Sequence, residues 1–146
     1  MSETTQQFLP DLLDLSREAT DFYVDAAKKV DDTRLRQVFT RMAEAKSQLA
    51  TDLGNEIKAS GAKRRKAPEW VDEAHQTYGV LSKNLKKAGL DQITRLEATE
   101  TVLQHRMHDV LMDRDNSYLV RVMAKQYLSK AEVLNKELRG RKRDLA

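Results

Sequence analysis

Residues Leu90–Met112 read LDQITRLEATETVLQHRMHDVLM, and the apolar residues Ile93, Leu96, Leu103, Met107 and Val110 recur there at helical spacing. Such spacing puts them on one face of an α-helix. Glu100 fills the gap in that stripe. An ionised carboxylate in an apolar seam is costly unless it is paired, hydrogen-bonded, protonated or bound to a metal. The identity of what faces Glu100 is therefore the functional question this chain poses.

The same periodicity continues on both sides. Pro10 stands near the start of a first helix, where its missing N–H matters least. Leu12, Leu15, Ala19, Phe22 and Ala26 carry the seam of that helix to about Val30. Asp31-Asp32-Thr33 is expected to close it and to cap a second helix over 33–60, with Leu35, Val38, Met42, Ala45, Leu49 and Leu53 or Ile57 inward. Gly54 weakens that helix without ending it, and Gly61 is the expected stop. A basic loop, 61–68, follows. Pro68 then opens a shorter helix to about Ala88, with Val71, Ala74, Tyr78, Leu81 and Leu85 inward, and Gly89 ends it. Asp91 is the expected cap of Leu90–Met112. The polar turn 113–117 leads into a last helix over 117–139, with Val120, Met123, Tyr127, Ala131, Leu134 and Leu138 inward. Gly140 is expected to end it, leaving 139–146 as a basic tail.

Four long amphipathic helices joined by two tight turns predict an all-α, antiparallel four-helix bundle made of two helical hairpins, with the shorter helix in the connection between them. A coiled-coil dimer fits less well, because the turns interrupt every apolar stripe. At 146 residues the chain is expected to be one domain, 1–146. Five glycines, two prolines and 34% charged residues suit a helical chain, and 5% aromatics leave the core to Leu, Val, Ile, Met and Ala. With no cysteine, disulfides, thiolate metal sites and cysteine nucleophiles are excluded. MSETTQQ at the N-terminus lacks the basic start and apolar run of a signal peptide, and no apolar run approaches the roughly 20 residues of a membrane span, so a cytoplasmic location with no membrane partner is expected.

Di-metal carboxylate bundles need a carboxylate on each of two helices and a Glu-x-x-His pair on each of the other two. No Glu-x-x-His occurs here; Glu97-x-x-Glu100 is the nearest approach. The stretches Leu12–Val30 (LLDLSREATDFYVDAAKKV), Leu35–Ile57 (LRQVFTRMAEAKSQLATDLGNEI), Ile93–Leu111 with its LEATE core, and VMAKQYLSKAEVL before the tail nonetheless resemble an uncharacterised bacterial family of ferritin-like four-helix bundles, related in fold to rubrerythrin and bacterioferritin. The resemblance implies a metal centre with Asp21 as the first-helix carboxylate and Glu100 as the third-helix one. At the second-helix positions this chain offers Ala45 and Gln48, and at the fourth-helix position Leu134, with Glu132 on another face. The implied ligand set is thus degenerate.

The reading these departures favour is a non-enzymatic ferritin-like bundle, acting as a structural or protein-interaction module and self-associating or binding a protein partner. The resemblance adds a stress-related setting. The alternative is an iron- or manganese-binding oxidoreductase or iron-handling protein with the reduced set Glu100, Asp21 and Gln48. In the favoured reading there is no cofactor, and Glu100 is hydrogen-bonded to Gln48, Tyr23 or Tyr127, with its pKa raised by desolvation. Glu100→Leu is then expected to be neutral or stabilising.

Other candidates read as ordinary surface. His105 and His108 lie one turn apart among Gln104, Arg106 and Asp109, and His75 sits at a helix boundary face. Asp11, Asp14, Glu18, Asp21 and Asp25 form an acidic stripe expected to be solvated. Trp70 with Tyr78 is expected to anchor the short helix. The basic clusters 63–66 and 139–143 account for much of the net charge of +3 but lack the aromatic interleaving of a nucleic-acid interface, so no nucleic-acid partner is expected. No serine or threonine has an activating histidine or a glycine-rich turn beside it, so nucleophilic catalysis has no support in the sequence.

Overall fold

A computed structural model describes residues 5–60, 67–83 and 89–146. The chain is all-helical, with no strand among the described residues. A short 3-10 turn, Thr5–Phe8, leads into α1 (Leu9–Lys29), α2 (Thr33–Ser60), α3 (Glu69–Leu81), α4 (Leu90–Met112) and α5 (Tyr118–Leu145). No described helix is long and apolar enough to cross a membrane.

The expected seams are the ones buried. On α1 these are Leu12, Leu15, Ala19, Phe22 and Ala26; on α2, Leu35, Val38, Met42, Ala45, Leu49 and Leu53; Ile57 is only half-buried. The inward residues assigned to α4 and α5 are all buried too. One core results, in which α1 packs on α2, α2 on α5, and α5 on α4, while α3 lies against α1 and α4. Arg41 pairs with Glu137, and Arg34 reaches Asp144 further along, so α2 and α5 run in opposite directions.

Caps follow side-chain chemistry. Asp32 Oδ1 accepts from Leu35 N at the start of α2, and Ser117 Oγ accepts from Val120 N at the start of α5. At α4 the expectation of Asp91 is corrected: Gly89 is the N-cap, and its N–H donates to Gln92 Oε1. Trp70 does anchor α3, packing edge-on against Phe8 and under the guanidinium of Arg106.

Two further expectations change. Helix α5 runs through Gly140 to Leu145, so the basic tail is helical. A glycine inside a helix costs about 1 kcal/mol relative to alanine, and the contacts of the last turns offset that. Arg141 pairs with Asp32 in the α1–α2 turn, Asp144 with Arg34, and Arg139 and Lys142 with Glu97. The acidic stripe is also not uniformly solvated: Asp11 is buried, Glu18 meets His75, and Asp25 pairs with Lys29. Helix α3 is assigned only to Leu81, and the expected continuation through Leu85 to Ala88 falls outside the described residues, as do the basic loop 61–66 and its Gly61 stop.

The N-terminal turn is tied down from the far end of the chain. Thr5 donates its N–H and its hydroxyl to Asp113 Oδ2, and Asn116 Nδ2 bridges Thr5 Oγ1 and Val110 O. Partial burial pushes the Asp113 carboxyl up, but the bonds from the Thr5 and Asp115 N–H groups and the Thr5 hydroxyl outweigh it and hold its pKa below the ordinary 3.8.

Candidate functional site

Each of the five helices contributes one polar side chain to a single buried cluster: Tyr23 from α1, Lys46 from α2, Tyr78 from α3, Glu100 from α4 and Tyr127 from α5. Glu100 is 1% exposed and Lys46 2%. Lys46 Nζ lies 2.7 Å from Glu100 Oε1. The contact is a buried ion pair. The other carboxylate oxygen accepts two phenols: Tyr23 OH donates to Oε2 at 2.5 Å and Tyr78 OH at 2.6 Å. Lys46 Nζ also lies over the Tyr127 ring, 5.2 Å from its centroid.

Local sequence explains why these groups point together. In α4 the buried stripe is Ile93, Leu96, Glu100, Leu103 and Met107; in α2 it is Phe39, Met42, Lys46, Leu49 and Leu53, with the same alternating steps. Each stripe therefore presents one charge where an apolar side chain belongs, and the two charges are opposite. Around them Phe22, Phe39, Tyr23 and Tyr78 pack ring against ring at centroid distances of 5.0–5.6 Å for the phenylalanine contacts. Such a wall excludes water and strengthens every electrostatic contact inside it.

Burial by itself would lower the Lys46 pKa, but Glu100 and Tyr127 outweigh it and hold the ammonium protonated well above its usual range. The Tyr23 and Tyr78 phenols are pushed up, first by burial and then by the Glu100 charge. Tyr127 is raised by burial, and Lys46 partly opposes that shift. The Tyr23 and Tyr78 phenols are thus held as neutral donors to Glu100.

The other residues implicated by sequence lie elsewhere. Asp21 is exposed on α1, and Gln48 is exposed on α2, where it donates to Asp52. Neither is brought to Glu100. Ala45 and Leu134 are core residues and Glu132 is exposed. His105 and His108 are exposed, whereas His75 Nδ1 meets Glu18 Oε2 at 2.5 Å. No group of three or more His, Asp or Glu among the described residues is arranged to hold a metal ion. The atoms facing Glu100 are an ammonium and two hydroxyl donors, which do not fit a di-metal ligand set. A void beside Lys46 measures about 10 Å³, room for no more than one water.

A family profile described as "Domain of unknown function (DUF2383)" matches residues 4–113. The chain belongs to that family. No curated protein and no solved structure matches it significantly. Four members of the buried cluster, Tyr23, Lys46, Tyr78 and Glu100, fall inside the DUF2383 match, and Tyr127 on α5 lies beyond it. Sequence reading singled out Glu100 and offered Gln48, Tyr23 or Tyr127 as its partner; of these only Tyr23 bonds it, and Lys46 and the role of Tyr78 were missed. The available signal was the stripe Phe39, Met42, Lys46, Leu49 and Leu53, which repeats the spacing of the Glu100 stripe.

The pairing overturns the expectation that Glu100→Leu is tolerated. Either Glu100→Leu or Lys46→Met leaves a buried charge uncompensated, and each is expected to destabilise by about 3–5 kcal/mol. The double variant should lose less than either single one. Urea unfolding of the four proteins measures the coupling, and strictly additive losses would refute a mutually compensating pair.

Alkaline pH gives a second check. Lys46, Tyr23, Tyr78 and Tyr127 all have folded-state pKa values above the ordinary 10.5 and 10.0. Their stabilisation is complete below those ordinary values and is lost as pH rises through the folded ones. Most tyrosinate absorbance should therefore appear together with loss of helix. Tyrosine ionisation complete while the circular dichroism stays native would contradict the buried network.

Proposed function

We propose that this DUF2383 protein is a non-catalytic helical module with a ferritin-like four-helix arrangement, in which α1 with α2 and α4 with α5 form two hairpins and α3 belongs to the link. Its interior charge site is closed by the protein's own cation. The observation that carries this reading is Lys46 Nζ at 2.7 Å from Glu100 Oε1, where the void described beside Lys46 measures about 10 Å³. A resident ammonium supplies the positive charge that a metal would bring, and the adjoining void is too small for a substrate. The hydrogen bonds from Tyr23 and Tyr78 engage Oε2 and hold it for packing rather than for turnover.

A structural or interaction role also accounts for the exterior. Met112, Tyr118 and Leu119 are 63%, 78% and 62% exposed at the turn between α4 and α5. Large apolar side chains grouped in this way favour association, and the occupant proposed is a second copy of the chain.

Metal analysis of protein purified without chelator tests the core of the proposal. Iron and manganese are expected well below one equivalent, with no difference in Glu100→Gln. Stoichiometric iron or manganese that disappears in Glu100→Gln would favour the oxidoreductase or iron-handling alternative. Light scattering tests the association: the native chain should exceed monomer mass, and Tyr118→Glu with Leu119→Lys should return it to monomer. A monomeric native chain at every concentration would refute self-association.

A further inference from the structure

The basic segment at the end of α5 plays no part in the buried cluster. Its side chains diverge: Arg139 and Lys142 turn towards Glu97 on α4, whereas Arg141 and Arg143 line a cleft against α2. That cleft has a volume of about 600 Å³, and Arg34 and Arg41 complete its wall. Four arginines thus line one space. Two carboxylates, Glu137 and Asp144, share the lining. Asp32 reaches Arg141 from the α1–α2 turn, and even with it one positive charge remains in excess.

We propose that this cleft binds a small phosphorylated organic anion of nucleotide size. The volume lies within the range of small-molecule sites. Arginine forks match phosphate oxygens in pairs, which a point-charge lysine does not. Two of the existing ion pairs are exchangeable: Arg41 with Glu137 is half-exposed, and Arg34 with Asp144 is separated by 3.6 Å, whereas Arg141 stays with Asp32. Arg143 has no ion-pair partner among the described residues. A singly charged carboxylate ligand would only replace one carboxylate by another. A polyphosphate brings several charges to the same forks and gains from each. Val38 supplies an apolar wall for the organic portion.

Gly140 is a separate observation. It lines the cleft from within α5, and a Cβ there would meet nothing within 4 Å. Helix formation and packing would both accept alanine, so neither calls for a glycine. What the missing side chain preserves is open space in the cleft. The opposed helix ends, the start of α2 and the close of α5, contribute dipoles of opposite sign, so the selectivity for anions comes from the guanidinium groups.

The test is isothermal titration of the full chain with ATP in magnesium-free buffer at low and physiological salt. Saturable one-to-one binding is expected, weakening as salt rises. Arg143→Gln and Arg34→Gln should each weaken it about tenfold, the scale of one lost charge-assisted bond. Gly140→Leu should abolish it while the helical spectrum and melting transition persist. Lys125→Gln, which removes a positive charge outside the cleft, should leave binding unchanged. Absence of saturable ATP binding at low salt would overturn the proposal, as would an equal loss in Lys125→Gln. Binding to duplex DNA that strengthens with length, together with no ATP binding, would replace it with a nucleic-acid surface.

Discussion

The structure depends on one buried contact, the ammonium of Lys46 against the carboxylate of Glu100, with two phenols satisfying the oxygen that the lysine does not reach. Moving either charge from water into such a core costs several kcal/mol, which mutual compensation and the hydrogen bonds to the second carboxylate oxygen offset. The hydroxyls of Tyr23 and Tyr78 and the ring of Tyr127 therefore belong to the same arrangement as the ion pair. Because each participant comes from a different helix, the cluster couples the placement of all five.

That coupling favours one packing over its neighbours. An apolar stripe of Leu, Ile and Met can slide along another with modest loss, since such side chains accommodate many partners. Shifting α2 against α4 would separate Lys46 from Glu100 and strand both. Turning α1 or α3 would remove a phenol from Oε2. Apolar burial drives the collapse of the chain, and the polar cluster selects its register. The short helix α3 gains the most from this, because Tyr78 and Trp70 fasten it from two sides.

At the ends of the molecule, contacts between residues far apart in sequence do similar work. Thr5 is held by Asp113 and Asn116, and the last turns of α5 are held by Asp32 and Arg34. These bonds hold the N-terminal turn in place and explain one departure from local expectation, a helix that passes through Gly140. Glycine and proline signals are statements about local cost. Where a tertiary contact exceeds that cost, the helix continues.

How legible the protein was differs by element. The helical stripes on α1, α2, α4 and α5 could be read because periodicity is a local property, and the residues expected inward there are buried, Ile57 excepted. Caps at Asp32 and Ser117 were legible for the same reason, whereas Asp91 was one residue choice among several polar neighbours of Gly89. The oddity of Glu100 was visible in its own helix. Its partner was not, because Lys46 stands beside Ala45 and Gln48 and a long lysine usually reaches solvent.

The amino-acid sequence alone determined an all-helical chain, the inward face of each long helix, and an unexplained acid within one of those faces. Which cation answers that acid, which phenols complete it, and which arginines meet across the α2–α5 cleft were decided only in the tertiary structure. The reason is physical. Helix formation and amphipathicity depend on residues three and four apart, whereas charge compensation depends on groups brought together by the packing of different helices.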